Sequence, residues 1–462
     1  MTPIEIISPS DGSTVATRDV ATDDEINICL EQAQLAQKTW MALDVTKRIS
    51  YCQKAMDWFE NNKAILAQGI SEQMGRPIQY AQGEISGLIE RAEYMMGIAQ
   101  DALADKPATP LAGFKRFIRP TPLGTCLIIA PWNYPYLTAI NGVITALLAG
   151  NTVLLKHSAQ TLLCAEAFLD AFNAAGLPKG VFQILHVSHS QTADLVQAPS
   201  IKFVSFTGSV SGGKAIELAA AGLFKPVALE LGGKDAAYVR EDADVINAAE
   251  NLADGAFFNS GQSCCGIERI YVHESVFDEF LTAIIKTSKQ LKLGSALNQD
   301  TTLGPMVSVR SANFAREQIK QALEQGAISH IDEQDFPLSK EGSCYLAPHI
   351  LSNVNHDMAI MSEESFAPVV GIMKVKNDED ALAHINDSQY GLTASIWTQD
   401  ENAMLALAND IETGTVFMNR CDYLDPALAW VGVKDSGRGC ALSYLGFAQV
   451  TRPKSIHIRE AS

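Results

Sequence analysis

Apolar positions recur at helical spacing through the first hundred residues. In DDEINICLEQAQLAQKTWMAL and VTKRISYCQKAMDWFENNKAILAQGISEQM they fall three to four apart behind acidic starts, which predicts helices. From Gly124 the texture changes. Short β-rich runs, TCLIIA, TVLLK, VFQILHV, IKFVSFTG and VALELGG, alternate with helical stretches such as PYLTAINGVITALLAG, as the β-α units of a parallel sheet do. A second round of that alternation follows Cys265 in IERIYVHESVFDEFLTAIIKTSKQL, FAPVVGIMKV and EDALAHINDS. The pattern predicts an α/β protein of two stacked domains, with a boundary near Leu231. KRFIRPTPLG at 115 to 124 and TRPKSIHIRE near the carboxyl end alternate like exposed strands, and edges of that kind invite pairing with another subunit.

Composition narrows the picture. The chain has 462 residues, 47% hydrophobic and 19% charged, enough to bury a large core without disulfides. Its net charge of −18 and lack of a basic block argue against a nucleic-acid partner. The amino end lacks the pattern of a secretory signal, and the most apolar stretch, 139 to 150, is too short to span a bilayer; a cytoplasmic protein with no membrane partner is expected. The solitary Cys29, Cys52, Cys126 and Cys164 suit reduced packing residues. The adjacent pair Cys264-Cys265 in FFNSGQSCCG has no companion at zinc-ligand spacing, so no metal site is expected.

The glycine-rich loops come next. FTGSVSGGKAI follows one predicted strand and opens a helix, so its amides and Ser209 are candidates to hold a phosphate. Gly208 to Lys214 even reads G-x-x-x-x-G-K, but Ala215 stands where a nucleotide-hydrolysing loop needs a hydroxyl for magnesium. No G-x-G-x-x-G fingerprint follows an early strand, so dinucleotide binding would have to use another mode.

Four segments in order, PWNYP at 131 to 135, LELGGKD at 229 to 235, GQSCCG at 261 to 266 and EESFAP at 363 to 368, with GVKDSGRG at 432 to 439 as a fifth, resemble the NAD(P)-dependent aldehyde dehydrogenase superfamily over nearly the whole chain. The resemblance implies two stacked Rossmann-like α/β domains plus a small β oligomerisation element. Residues 1–108 and 125–230 would bind the dinucleotide, 231–420 would form the catalytic domain, 109–124 and 448–462 would supply oligomerisation strands, and 421–447 would return to the cofactor side. A homodimer or a dimer of dimers is implied.

Oxidising an aldehyde by hydride transfer needs a tetrahedral carbon bearing an oxyanion, which a thiolate creates by adding to the carbonyl. The resemblance puts that thiol at Cys264, with Cys265 in the following, variable position. It gives the oxyanion donors as the Asn133 side-chain amide and the Cys264 backbone N–H. The thioester left after hydride departure needs an activated water, and Glu230, at the end of PVALE, is the matching general base. An apolar strand end raises its pKa, and the two glycines after it are expected to leave its carboxylate room. The cofactor, NAD or NADP, is expected on Lys156, Ser158 and Glu364, with Phe366 on the nicotinamide side, Trp132 in the pocket, and Gly208 and Ser209 at the pyrophosphate.

This sequence also departs from the family pattern. Ala159 stands where NAD-preferring relatives carry Glu, so a 2′-phosphate loses a repulsion and NADP is expected to serve at least as well as NAD. Ser188 and Thr192 replace glycines before the phosphate helix, Ala441 replaces an acidic residue, and FAP replaces FGP. A substrate pocket of Tyr134, Tyr136, Leu424 and Trp430 is expected to be apolar and aromatic, with Arg420 either pairing a substrate carboxylate or facing Asp422 or a partner subunit. The alternatives are a non-catalytic scaffold on this fold and a CoA-acylating relative, and retention of Cys264 and Glu230 argues against both.

Overall fold

A computed structural model describes residues 3–460, so positions 1–2 and 461–462 of the expected domain ranges lie outside the described residues. The first element is a hairpin, Ile4–Ile7 against Thr14–Arg18. Strands this short show no periodicity, which is why the helical reading of the first hundred residues missed them. Helix Asp23–Ala42 follows, opened by a capping box in which Thr22 and Glu25 exchange hydrogen bonds. The predicted second helix is two, Val45–Asn61 and Lys63–Met74, because Asn62 leaves helical geometry at φ −107° and its side chain turns back to the Trp58 carbonyl at 2.8 Å. Helix Ile78–Ala102 then runs beneath what becomes the site.

Two mainly parallel sheets follow. In the first, Thr125–Ala130 lies at the centre with all six residues buried, as a strand covered on both faces requires. It pairs in parallel with Thr152–His157 and Ile201–Thr207, and these extend the sheet to Phe182–Ile184 and Val227–Glu230. The last strand, Gly437–Arg438, comes from far along the chain and pairs antiparallel with Glu230 and Leu229. A Cβ on Gly437 would lie 2.0 Å from the Leu229 carbonyl, so only glycine lets this late segment clamp the strand that carries Glu230.

The second sheet has seven strands in the order Ile328–Ser329, His349–Ser352, Val369–Val375, Ile267–His273, Asp235–Val239, Thr393–Trp397 and Thr415–Met418, parallel except at its first edge. The two strands expected to be exposed, Phe114–Pro122 and Thr451–Arg459, pair with each other along nine residues, and Lys106–Pro107 joins them in a small antiparallel sheet. No helix among the described residues is long and apolar enough to cross a membrane.

Candidate active site

The central strand Thr125–Ala130 runs into Trp132 and Asn133, its neighbour Ile201–Thr207 into Gly208 and Ser209, and the next strand ends at Glu230. Parallel strands therefore deliver their carboxyl ends to one edge of the sheet, the usual place for ligands in open α/β folds. Two cavities meet there at Cys264. One, about 580 Å³, is lined by Trp132, Asn133, Gly208, Ser209, Glu364 and Phe366. The other, about 410 Å³, is lined by Tyr134, Glu230, Leu424 and Trp430 among others. Cys264 lines both.

Close approach fixes the cysteine's backbone. A Cβ on Gly233 would stand 2.2 Å from the Cys264 carbonyl oxygen, and one on Gly232 would meet the Glu364 carboxylate at 2.4 Å. The paired glycines thus make room for the cysteine and for Glu364, rather than for the Glu230 carboxylate as the sequence suggested. Asn259, Ser260 and Gly261 all take left-handed φ near 53°, 59° and 68°, turning the chain sharply ahead of the thiol. The Cys264 backbone N–H makes no hydrogen bond among the described residues. Cys265 is buried, with its thiol donating to Asp422 Oδ1 at 2.9 Å. The Cys264 side chain beside it, burial and Asp422 hold this thiol well above its ordinary pKa. Both cysteines border the smaller cavity, but Cys264 alone borders the larger one as well and is the less buried of the two, as a sulfur nucleophile must be.

Asn133 is held by a network that the sequence did not announce. Its carbonyl accepts from Arg76 Nη2 at 2.7 Å and Asn259 Nδ2 at 3.2 Å, and its own Nδ2 donates to the Gln262 carbonyl at 3.2 Å, which leaves a second amide hydrogen. Arg76 in turn pairs with Glu84, both buried, and lies over the Tyr134 ring at 4.2 Å. Glu84 also accepts the backbone N–H of Tyr136 at 2.8 Å, so this carboxylate caps helix Pro135–Leu148 from another helix. Burial raises the Glu84 pKa.

Glu230 accepts a hydrogen bond from Thr207 Oγ1 at 3.2 Å. Burial pushes its pKa up to about 7, with the Thr207 bond and the Arg91 charge opposing the rise. Behind it a space of about 30 Å³, lined also by Thr145, Cys440, Ala441 and Gln449, has room for a water.

On the larger cavity, Ser209 caps helix Val210–Ala220 by accepting from the Gly212 N–H at 3.2 Å. Glu364 accepts the Gly233 N–H at 3.0 Å, and burial raises its pKa to about 7. Phe366, at φ 50°, stands edge-on to Trp132 with centroids 5.5 Å apart. Its turn is held by Glu268, which accepts the Phe366 N–H at 2.8 Å and pairs with buried Lys234. Lys156 and Ser158 do not line this cavity: Lys156 is buried at the end of its strand, with burial lowering its pKa, and Ser158 caps the short turn after it. Ser188 caps helix His189–Gln197 through a capping box with Gln191. Arg310 and Phe314, missed in the sequence, also border the larger cavity.

The smaller cavity departs from the expected apolar, aromatic lining. Tyr136 packs into the core against Phe59 and Phe168 instead of lining it. Arg420 is exposed and lies over the Tyr423 ring at 3.5 Å. Charged side chains the sequence reading passed over, Glu90, Arg91 and Asp254, line it together with Asp422. Among the described residues no group of His, Cys, Asp and Glu is arranged to hold a metal ion.

A helix N-terminus, a buried carboxylate and an aromatic pair around one cavity at the strand ends are the setting in which dinucleotide-dependent α/β enzymes hold their cofactor. The model of the aldehyde dehydrogenase family matches residues 1–456, and the chain belongs to that family, an enzyme that uses NAD or NADP. It is 33% identical over 456 residues to an aldehyde dehydrogenase of Paenarthrobacter nicotinovorans, covering 98% of this chain and 99% of that one. The solved structure of succinic semialdehyde dehydrogenase from Streptococcus pyogenes, with NADP+ as cofactor, superposes with a TM-score of 0.93 at 29% identity, covering 99% of this chain and 100% of the other. That of an NAD-dependent aldehyde dehydrogenase from Sinorhizobium meliloti gives 0.95 at 29%, covering 99% and 91%.

Proposed function

We propose that this enzyme oxidises its aldehyde through a covalent thioester on Cys264, hydrolysed by a water that Glu230 activates. The observation that carries the reading is the position of Cys264 at the meeting of two cavities, one bordered by the residues suited to a dinucleotide and the other by Glu230. The thiolate adds to the aldehyde carbon, and the new oxyanion is held by the free amide hydrogen of Asn133 and the unpaired N–H of Cys264. A nicotinamide held beside Phe366 and Trp132 would supply the hydride acceptor that turns this adduct into the Cys264 thioester. Glu230 then takes a proton from water as the water's oxygen attacks the thioester carbon, the C–S bond breaks, and the acid leaves. With Ala441 in place of an acidic residue, the carboxyl returns its proton by way of the small water-sized space behind it.

The larger cavity fits a dinucleotide in volume and donor set. Within it Glu364 would hold ribose hydroxyls, Gly208 and Ser209 at the start of helix Val210–Ala220 the pyrophosphate, and Phe366 and Trp132 the nicotinamide end, while Lys156 and Ser158, which lie outside this cavity, would meet the adenosine ribose beyond it. Ala159 supplies no carboxylate to repel a 2′-phosphate, which favours NADP at least as much as NAD. The ranges 1–108 with 125–230 and 231–420 serve as dinucleotide and catalytic domains, and the small antiparallel sheet joins subunits of a cytoplasmic homodimer or dimer of dimers. Cys264→Ser tests the whole: turnover should vanish while cofactor binding by fluorescence titration persists, and retained turnover would refute the assignment.

A further inference from the structure

Arg91 raises a problem of charge. It projects from helix Ile78–Ala102 into the smaller cavity and is 8% exposed. Only its Nη1 is engaged, donating to the Leu137 carbonyl at 2.9 Å and to Asn141 Oδ1 at 3.3 Å. Among the described residues it forms no ion pair, although Glu230 and Glu90 border the same space. A guanidinium left unpaired away from water is costly, and the ordinary remedy is an anion with bidentate geometry.

A second, independent feature lies beside it. Asn141, one turn further along its helix from Leu137, is 3% exposed, and its Nδ2 has no hydrogen-bond partner. Because Arg91 takes up the Asn141 oxygen, the amide's donor end is the one left over. The uncommitted nitrogens of Arg91 and the unpartnered Asn141 Nδ2 thus belong to two adjacent residues that border the cavity opening onto Cys264. An apolar aldehyde would leave both unsatisfied.

We infer that Arg91 and Asn141 form an anion subsite that takes the far carboxylate of an ω-oxo acid, an aldehyde whose chain carries an acid at its other end. This rests on the proposed chemistry at Cys264 and adds to it the charge of the substrate. Other acidic groups on the cavity oppose an anion subsite only in part: Glu90 and Asp254 are exposed, and Asp422 already accepts from Ser263 and Cys265. An ω-amino aldehyde is the rival they would suit, and the test includes it.

The experiment compares kcat/KM for ω-oxo acids of four, five and six carbons with neutral isosteres carrying an isopropyl end (4-methylpentanal beside 4-oxobutanoate, and so on) and with 4-aminobutanal. Wild-type enzyme should favour at least one oxo acid over its neutral partner by about thirtyfold or more, the scale of a charge-assisted pair. Arg91→Gln should collapse that ratio towards unity, and Arg91→Lys should keep part of it. A change in Glu230 ionisation affects both members of a pair alike and cancels in the ratio. If the wild type treats acid and neutral partner equally, or prefers the ammonium substrate, the subsite is refuted without recourse to any variant. Turnover of the neutral aldehydes reports the Cys264 chemistry separately, so failure of the one is not failure of the other.

Discussion

Glu230 offers the sharpest quantitative test. Burial holds its carboxyl near a pKa of about 7 instead of 4.5, and a general base works only when deprotonated. The sign follows directly: activity should rise with pH through that value and level off above it. With a single ionisation near 7, roughly a tenth of the enzyme is active at pH 6 and roughly nine-tenths at pH 8, so kcat should climb about tenfold between them. Arg91 opposes the rise, so Arg91→Gln should move the limb to higher pH, whereas Thr207→Val, which removes the hydroxyl donor, should do the same. Glu230→Gln should lower kcat by about 10²–10⁴ and flatten the profile. The assay is steady-state formation of reduced cofactor by absorbance at saturating aldehyde, from pH 5.5 to 9. A Glu230→Gln enzyme within threefold of wild type, or with the limb still present, would refute the reasoning.

Asn133→Ala should cost about 3 kcal/mol of barrier, a fall of about a hundredfold in kcat with little change in cofactor affinity, checked by the same assay with fluorescence titration. Gly233→Ala puts a methyl group where the Cys264 carbonyl now lies, 2.2 Å away, and the displaced sulfur should lose at least about a hundredfold in kcat while folded content by circular dichroism remains. Arg76→Met strands the buried Glu84 and should lower stability by about 3–5 kcal/mol in denaturant titration, with Arg76→Met/Glu84→Gln recovering part of it. NADP should support a kcat/KM at least equal to that with NAD, and Ala159→Glu should shift the preference towards NAD; a wild type strongly favouring NAD would overturn that reading.

The alternating β-α pattern was legible because strands buried on both faces must be apolar throughout, and TCLIIA matches Thr125–Ala130 residue for residue. The hairpin at Ile4–Arg18 and the break at Asn62 were not, since each is decided by one turn or one side chain instead of by periodicity. At the site, the short motifs carried Cys264, Glu230, Asn133 and Glu364, whose neighbours in sequence are also neighbours in space. Arg76, Glu84, Lys234 and Glu268 stayed hidden because their partners lie on distant segments, so nothing local marks them as buried ion pairs. Arg91 lies outside every one of those motifs, so nothing in the sequence singled it out. Tyr136 was misassigned by adjacency: Tyr134 before it faces the cavity, but the start of the helix turns residue 136 into the core.

The central claim is that one sulfur holds the acyl group. Glu230→Gln enzyme mixed with aldehyde and NADP+, quenched in acid and digested, should yield a peptide spanning 264 and 265 that is heavier by the acyl mass, with fragment ions fixing the addition on Cys264 and hydroxylamine removing it. An adduct on Cys265, or none on either thiol while reduced cofactor accumulates, would contradict the account.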